Sequence, residues 1–403
     1  MHATTGLSDL YFGRAAAENE VASDADRFVE TYFDQWDLLS TFEGHNRFLI
    51  LGPKGSGKSA AAHYIQLQWK RRFGDHAVFA TYVDFDDLNR TQTPLASLDK
   101  KLVGDVPALT DSAWRLFLAV RLLDSLMRDN ACAFGSDPQV LKLVGELRSS
   151  GLASDDFPQV LRRVREKRGS VGVPKLGQVQ AKAVETSEVS VGQLGDALIE
   201  LVIKAPTANR HLLAIDGLDK AIGDKPAYWQ TLAALVRVAD ALTRRLREHN
   251  AVHVHLLVLC RSDVFRRVRF ADAAKIAADG GIYTDWGAEA ANPKDVRLWE
   301  YISRKARTPI DDLFEFFPTG VRVGEEGRVA IERYLLQVTR YTPRDMTLLF
   351  NTLSDFSGDG VLSNAQVRRG ADTFASRHLL TEVMAEAHGL LPEPVVDRFE
   401  QVI

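Results

Sequence analysis

Residues Gly52 to Ser59 carry the strongest chemical signal in the sequence. They read Gly-Pro-Lys-Gly-Ser-Gly-Lys-Ser and match the phosphate-binding pattern G-x-x-x-x-G-K-[ST] in full. Glycines let such a loop curl so that backbone N–H groups point at phosphate oxygens, and the following helix adds the positive end of its dipole. Lys58 would bring a positive charge to the β- and γ-phosphates, and Ser59 a hydroxyl to Mg²⁺. The predicted cofactor-binding residues are Gly52, Pro53, Lys54, Gly55, Ser56, Gly57, Lys58 and Ser59.

A second magnesium ligand is predicted at Asp216, which ends an apolar run that would form a strand beside the loop. The alternative is an aspartate that only caps a strand end. The next position is Gly217, where many ATPases with such a phosphate-binding loop have an acidic residue. Asp219 is therefore the nearest candidate for the group that positions the attacking water. Asp219 could equally cap the next helix.

Two arginines are candidates for contacts with the terminal phosphate. Arg261 follows an apolar run and would lie at the carboxyl edge of a sheet, where ligands bind. Its alternative is a salt bridge to Asp263 or Asp216. Arg344 follows Pro343, which suits the first turn of a helix, and either Arg344 or Arg340 could reach a nucleotide from a lid or pair locally instead.

Apolar runs and helical periods indicate how these residues are positioned. Short strands are predicted at 47–52, 77–85, 211–216 and 252–260. Helices are predicted at 15–39, where apolar residues recur at helical spacing, and at 228–248 between the last two strands. Strands that alternate with helices in this way predict an α/β fold, with a parallel sheet flanked by helices.

The predicted domain organisation has three parts. Residues 1–40 form an N-terminal helical flank, 41–294 the core, and 295–403 a C-terminal helical lid domain with only helical signals. The core contains a mostly helical insertion at about 97–204. Inside it, residues 169–193 combine glycine, proline and alternating valines, which indicates a hairpin or a mobile loop.

At these residues the chain resembles bacterial P-loop ATPases of the AAA-like and STAND-like group whose Walker B motif reads Asp-Gly-Leu-Asp, here Asp216 to Asp219. Tyr11-Phe12-Gly13, Ala17 to Glu20, Trp286 and Pro343-Arg344-Asp345 add to the resemblance. It implies a P-loop NTPase core of the additional-strand type, ATP and Mg²⁺ as cofactors, and a C-terminal helical lid, often in bacterial defence or regulation. The missing acid after Asp216 predicts slow turnover.

Composition indicates which partners and which cellular compartment to expect for this protein. The 403 residues include 50 Lys and Arg against 54 Asp and Glu, a net charge of −4 that does not suggest an obligate nucleic-acid binder. Only two cysteines occur, which argues against a disulfide framework and favours the cytoplasm. No apolar run has the roughly 18 residues of a membrane span, and no secretory signal is readable, so a membrane protein is not expected.

Two functions follow as expectations. The first is an ATP-dependent regulatory switch that hydrolyses ATP slowly and acts through a protein partner or self-association. The alternative is a nucleic-acid-dependent ATPase, a loader or remodeller, supported by the basic run Arg162, Arg163, Arg165, Lys167 and Arg168. This run lacks interleaved aromatic residues for base stacking, so nucleic acid is the less favoured partner.

Overall fold

The computed structural model describes residues 6–84, 107–167, 170–172, 188–218, 226–287, 292–324, 327–358 and 360–390 with residues 395 and 398. The largest sheet of these residues has five parallel strands. Its strands are β1 (Leu49–Gly52), β2 (Val78–Asp84), β5 (Arg210–Asp216), β6 (Val254–Arg261) and β7 (Gly281–Tyr283), in the order β2-β5-β6-β1-β7. All eight residues of β6 are buried, as expected for a strand covered on both faces. The predicted parallel sheet with flanking helices is confirmed.

Two short antiparallel pairs lie outside this sheet. They are β3 (Ser170–Gly172) with β4 (Glu188–Ser190), and β8 (Gly320–Arg322) with β9 (Arg328–Ala330). The first pair agrees with the hairpin, one of the two alternatives predicted for 169–193, and residues 173–187 lie outside the described residues. The second pair shows that the prediction of only helices after residue 295 was wrong. Strands of three residues are too short to give a readable alternation.

The helices occupy most of the remaining described chain. Their bounds are α1 (Ala17–Ser23), α2 (Ala25–Thr31), α3 (Leu38–Glu43), α4 (Lys58–Phe73), α5 (Pro107–Met127), α6 (Pro138–Ser149), α7 (Phe157–Glu166), α8 (Val191–Ile203), α9 (Pro226–Glu248), α10 (Ser262–Arg267), α11 (Ala273–Gly280), α12 (Leu298–Ala306), α13 (Ile310–Phe314), α14 (Ile331–Gln337), α15 (Pro343–Asp355), α16 (Asn364–Phe374) and α17 (Leu380–Leu390). None of the described helices is long and apolar enough to cross a membrane.

The predicted single helix over 15–39 is wrong, because the structure divides this segment. Asp24 is the reason for the first break: its extended backbone ends α1, and its carboxylate accepts a hydrogen bond from Arg27 N at 2.9 Å to cap α2. The segment then leaves α2 after Thr31, and α3 begins at Leu38.

The chain forms two compact units, each made of separate stretches of sequence. The first unit contains residues 1–35, 52–67 and 283–403, and the second contains 36–51 and 68–282.

The second unit packs around large aromatic side chains as well as the sheet. Trp114 of α5 stacks on Phe157 of α7 with ring centroids 3.6 Å apart. Its indole Nε1 donates a hydrogen bond to Thr231 O of α9 at 2.9 Å, so the one polar atom of the buried ring is satisfied. Both cysteines of the sequence, Cys132 and Cys260, are buried in this unit and are not joined in a disulfide.

The first unit is held together by its N-terminal segment. Thr347 Oγ1 and Asn351 Nδ2 of α15 donate hydrogen bonds to Phe12 O and Gly13 O, at 3.0 Å and 3.1 Å. Glu20 of α1 forms an ion pair of 2.5 Å with Lys305 of α12, and both side chains are almost fully buried. Removing one partner of such a pair leaves an uncompensated buried charge, which is strongly destabilising.

A polar network surrounds His211 at the start of β5. Ser125 Oγ lies 2.9 Å from His211 Nδ1, and Asp129 Oδ2 lies 3.3 Å from Nε2. Ser, His and Asp resemble a catalytic triad, yet none of the three side chains is more than 2% exposed, so no substrate can reach them. Burial lowers the pKa of His211 to about 4, against the opposing attraction of Asp129. The network is therefore structural and contains a neutral histidine.

We predict that His211 makes stability depend on pH. Its folded pKa lies below the ordinary unfolded value of about 6.5, so the unfolded chain binds the proton first as the pH falls. The free energy of unfolding should therefore decrease from pH 6.5 to pH 4. Between pH 7 and pH 4.5 the free energy of unfolding should decrease less in His211→Gln than in the wild type, by on the order of 2 kcal/mol.

Urea unfolding across this pH range measures the effect. The control is His249→Gln, at an exposed position, which should keep the wild-type dependence. An identical pH dependence in His211→Gln would contradict the assignment of a neutral, buried His211.

Candidate functional site

The predicted phosphate-binding residues form a tight loop that connects β1 to α4. Gly52 is the last residue of β1, and α4 begins at Lys58. Gly55 and Gly57 have φ of +84° and +92°, values that side-chain-bearing residues rarely adopt. The strand, loop and helix expected around this pattern are all present.

Gly52 is required because the chain that follows β7 passes too close for a side chain. A Cβ atom at this position would lie 1.9 Å from Thr284 Oγ1 and 2.4 Å from Ser56 Oγ. The two hydroxyls of Ser56 and Thr284 are hydrogen-bonded at 2.7 Å, and Trp286 Nε1 donates to Ser56 O at 2.9 Å. Ser56 is fully buried, so these contacts anchor the loop from inside.

The side chain of Lys58 folds back onto the beginning of this loop. Its Nζ donates hydrogen bonds to Gly52 O at 3.2 Å and to Pro53 O at 2.9 Å, the carbonyls where the loop begins. Ser59 is the second residue of α4. A cation and a hydroxyl thus stand at the helix N-terminus, where anions are favoured.

The first turn of α15 also contacts the loop. Thr342 caps this helix by accepting from Asp345 N at 3.2 Å, and Pro343 is its first residue, as predicted. Arg344 N donates to Gly55 O at 3.3 Å, and Arg344 Nε donates to Ala15 O at 3.1 Å.

Arg340 takes the local alternative that the sequence left open. Its guanidinium Nε and Nη2 donate to the two carboxylate oxygens of buried Asp345, at 2.9 Å and 2.8 Å. Arg344 is the arginine for which a hydrogen bond to the loop is described, from its backbone N to Gly55 O.

Asp216 lies at the carboxyl edge of the sheet but not on the strand next to β1. β6 lies between β1 and β5, so the strand that ends at Asp216 is two places away from the strand that leads into the loop. Gly217 N donates to Asp216 Oδ1 at 2.7 Å, and Gly217 has φ of +72°, which explains a glycine where an acid was expected. Asp219 lies outside the described residues.

Asp84 is a neighbour of Asp216 that no local pattern of the sequence indicates. The two are register partners at the ends of the parallel strands β2 and β5. The alternation of β2 was visible in the sequence, but the partner strand and the register depend on tertiary structure.

Arg261 ends β6, and its side chain is only 7% exposed. Its Nε and Nη2 donate to the carboxylate of Asp263 at 2.9 Å and 2.7 Å, the salt bridge that the sequence left as the alternative. Burial alone would raise the pKa of the Asp263 carboxyl, but hydrogen bonds from Arg261 and its charge outweigh burial and lower it. A contact between Arg261 and a phosphate stays a prediction.

The predicted site residues fall into both units. The loop from Gly52 to Ser59 and Arg344 belong to the first unit, whereas Asp216 and Arg261 belong to the second. The pairing of Ser59 with Asp216 on a magnesium ion therefore stays a prediction. Within the described residues, no three His, Cys, Asp or Glu side chains gather as a metal-binding group.

Arg162 and Arg163, the first two residues of the basic run, lie on the exposed side of α7. Arg162 and Arg163 are exposed, whereas Phe157, Val160, Leu161 and Val164 of the same helix are buried. Arg163 pairs with Glu166 at 2.9 Å, and Arg168 lies outside the described residues. The alternation of basic and apolar residues is that of an amphipathic surface helix.

Neither a protein-family model nor a curated protein sequence matches this chain.

We predict that Gly52→Ala destabilises the protein. The new methyl group would overlap Thr284 Oγ1, and overpacking of this kind costs about 1–3 kcal/mol. Gly145→Ala is the matched control: it lies within α6, where a Cβ meets nothing within 4 Å, and it should raise stability by about 0.5–1 kcal/mol. Denaturant unfolding of both variants tests this, and a neutral Gly52→Ala would disprove the close packing of the loop.

Proposed function

We propose that this protein is an ATP-binding P-loop ATPase of the additional-strand type that works as a nucleotide-dependent switch with slow turnover. The observation that carries the proposal is the loop from Gly52 to Ser59, which leaves a buried parallel strand, enters a helix, and is contacted by the first turn of α15 through Arg344. The loop lies at the carboxyl end of a parallel strand, which is where ligands bind in sheets of this type, and this position supports a ligand site.

The residues of the loop fit the phosphates of a nucleotide. The close approach at Gly52 leaves no room for a side chain and keeps the loop tight, and the positive φ of Gly55 and Gly57 turns its backbone as phosphate binding requires. Lys58 would hold the β- and γ-phosphates, while Ser59 and Asp216 would hold Mg²⁺. When bound, ATP supplies a phosphoanhydride bond whose hydrolysis gives ADP and phosphate.

Strand order gives further support. The strand that ends at Asp216 is separated from β1 by β6, and this extra strand is what the additional-strand type implies. Glycine at 217 in place of an acid supports slow turnover, with Asp219 as the proposed water-positioning group.

The switch itself is proposed to act through α15. The backbone N of Arg344 donates a hydrogen bond to Gly55 O. A change in the loop when ATP is exchanged for ADP would therefore move the first turn of this helix. A protein partner or a second copy of the chain would read the change. Control of bacterial defence or stress responses is the setting that the resemblance suggests.

We predict that Lys58→Ala abolishes or strongly weakens binding of Mg-ATP, because this side chain provides the charge at the loop mouth. Isothermal titration with Mg-ATP measures the affinity. Lys142→Ala, at an exposed position on α6, is the control and should bind as the wild type does. Equal affinity of Lys58→Ala and the wild type would refute the P-loop assignment.

A further prediction separates the two acids of the Walker B segment. Asp216→Asn should weaken Mg²⁺-dependent ATP binding, since it removes a proposed metal ligand. Asp219→Asn should bind normally and hydrolyse more slowly, because only the positioning of water is lost. For both variants, titration with Mg-ATP measures the affinity and release of phosphate measures the rate of hydrolysis. Hydrolysis at the wild-type rate in Asp219→Asn would favour the helix-capping alternative.

A further inference from the structure

One carboxylate in the first unit is surrounded by three cations, and one of them belongs to the phosphate-binding loop. Glu382 Oε2 of α17 lies 2.8 Å from Lys54 Nζ, 3.8 Å from Arg344 Nη1 and 3.9 Å from Arg340 Nη2. Lys54 is the third residue of the loop, and Arg344 contacts Gly55. Glu382 thus joins α17 to both elements of the proposed switch.

Attraction between charges, rather than well-aligned hydrogen bonds, holds this carboxylate. Glu382 Oε2 is buried and accepts no hydrogen bond of good geometry. Burial alone would raise the pKa of Glu382, but the close contact with Lys54 and the charges of Lys54, Arg344 and Arg340 lower it, so the group is an anion at neutral pH.

Two of the three cations have no stronger acidic partner among the contacts described for them. Arg340 is already neutralised by the bidentate contact with Asp345, whereas the salt bridges of Lys54 and Arg344 are both to Glu382. A terminal phosphate has more charge and more oxygen atoms than a carboxylate. It is therefore the better anion for Lys54 and Arg344.

We propose that Glu382 is an internal competitor for the terminal phosphate of the nucleotide, so that ATP displaces it and releases α17 from the loop while ADP does not. This inference rests on the proposed function, and it adds to it the residue that distinguishes the triphosphate from the diphosphate. The carboxylate holds α17 against the loop, and the γ-phosphate takes over Lys54 and Arg344.

The test uses the full chain and its Glu382→Gln variant. Titration with a non-hydrolysable Mg-ATP analogue should show binding at least about fivefold tighter in Glu382→Gln than in the wild type, with Mg-ADP affinity changed less than twofold. The control is Glu315→Gln, which removes the same charge at an exposed position and should bind both nucleotides as the wild type does.

Hydrogen exchange of residues 380–390 separates displacement from a general effect of charge. In the wild type the ATP analogue should speed exchange in this segment and ADP should not. In Glu382→Gln exchange should already be fast without nucleotide. Lys54→Gln breaks the same ion pair from the loop side, so it should also speed exchange without nucleotide, yet gain no affinity for the ATP analogue.

The outcomes distinguish this inference from the proposed function. If the wild type binds neither nucleotide, or Lys58→Ala binds equally well, the proposed function fails. If the wild type binds through Lys58 but Glu382→Gln has the wild-type ratio of ATP to ADP affinity, or exchange in 380–390 is the same with both nucleotides, only the role of Glu382 is refuted.

Discussion

The hydrogen bond between the hydroxyls of Ser56 and Thr284 fixes the shape of the candidate site. It holds the middle of the loop against the chain that follows β7, at 2.7 Å and away from solvent. The closeness that this bond requires excludes any side chain at Gly52. Trp286 adds a second anchor through Ser56 O, so the loop is shaped by residues more than 200 positions away in sequence.

The N-terminal segment has a supporting role in the same unit. Phe12 and Gly13 accept hydrogen bonds from α15, and Ala15 O accepts one from Arg344. The buried pair of Glu20 and Lys305 ties α1 to α12. Residues 11–20, which the sequence connected with the site only by resemblance, thus position the helix that contacts the loop.

Local features were the ones that the sequence predicted. The loop from Gly52 to Ser59 has a fixed spacing of glycines and lysine, and β5 and β6 are apolar runs, so both were found without tertiary information. The first turn of α15 was also found, because a proline at a helix start is a local signal. The break at Asp24 was missed because a capping residue within a continuous apolar period looks like a polar surface position.

Features that depend on distant contacts were not predictable. The place of β6 between β1 and β5 follows from the route of the chain, which no local pattern specifies, and only the resemblance implied an additional strand. Thr284 and Glu382 belong to no sequence motif. Their roles depend on contacts with the loop residues Ser56 and Lys54, which only the tertiary structure shows. Arg340 and Arg344 differ in their tertiary contacts: Arg340 pairs with Asp345, whereas Arg344 contacts Gly55 O and Ala15 O.

The two cysteines make the protein convenient for spectroscopy. Cys132 and Cys260 are 4% and 3% exposed, and burial raises the pKa of the Cys132 thiol, which keeps the reactive thiolate scarce. Maleimide reagents should therefore leave the native chain largely unlabelled. A single cysteine introduced at a surface position would carry a fluorophore almost alone, so motion of a chosen helix can be followed in solution without first removing the natural thiols.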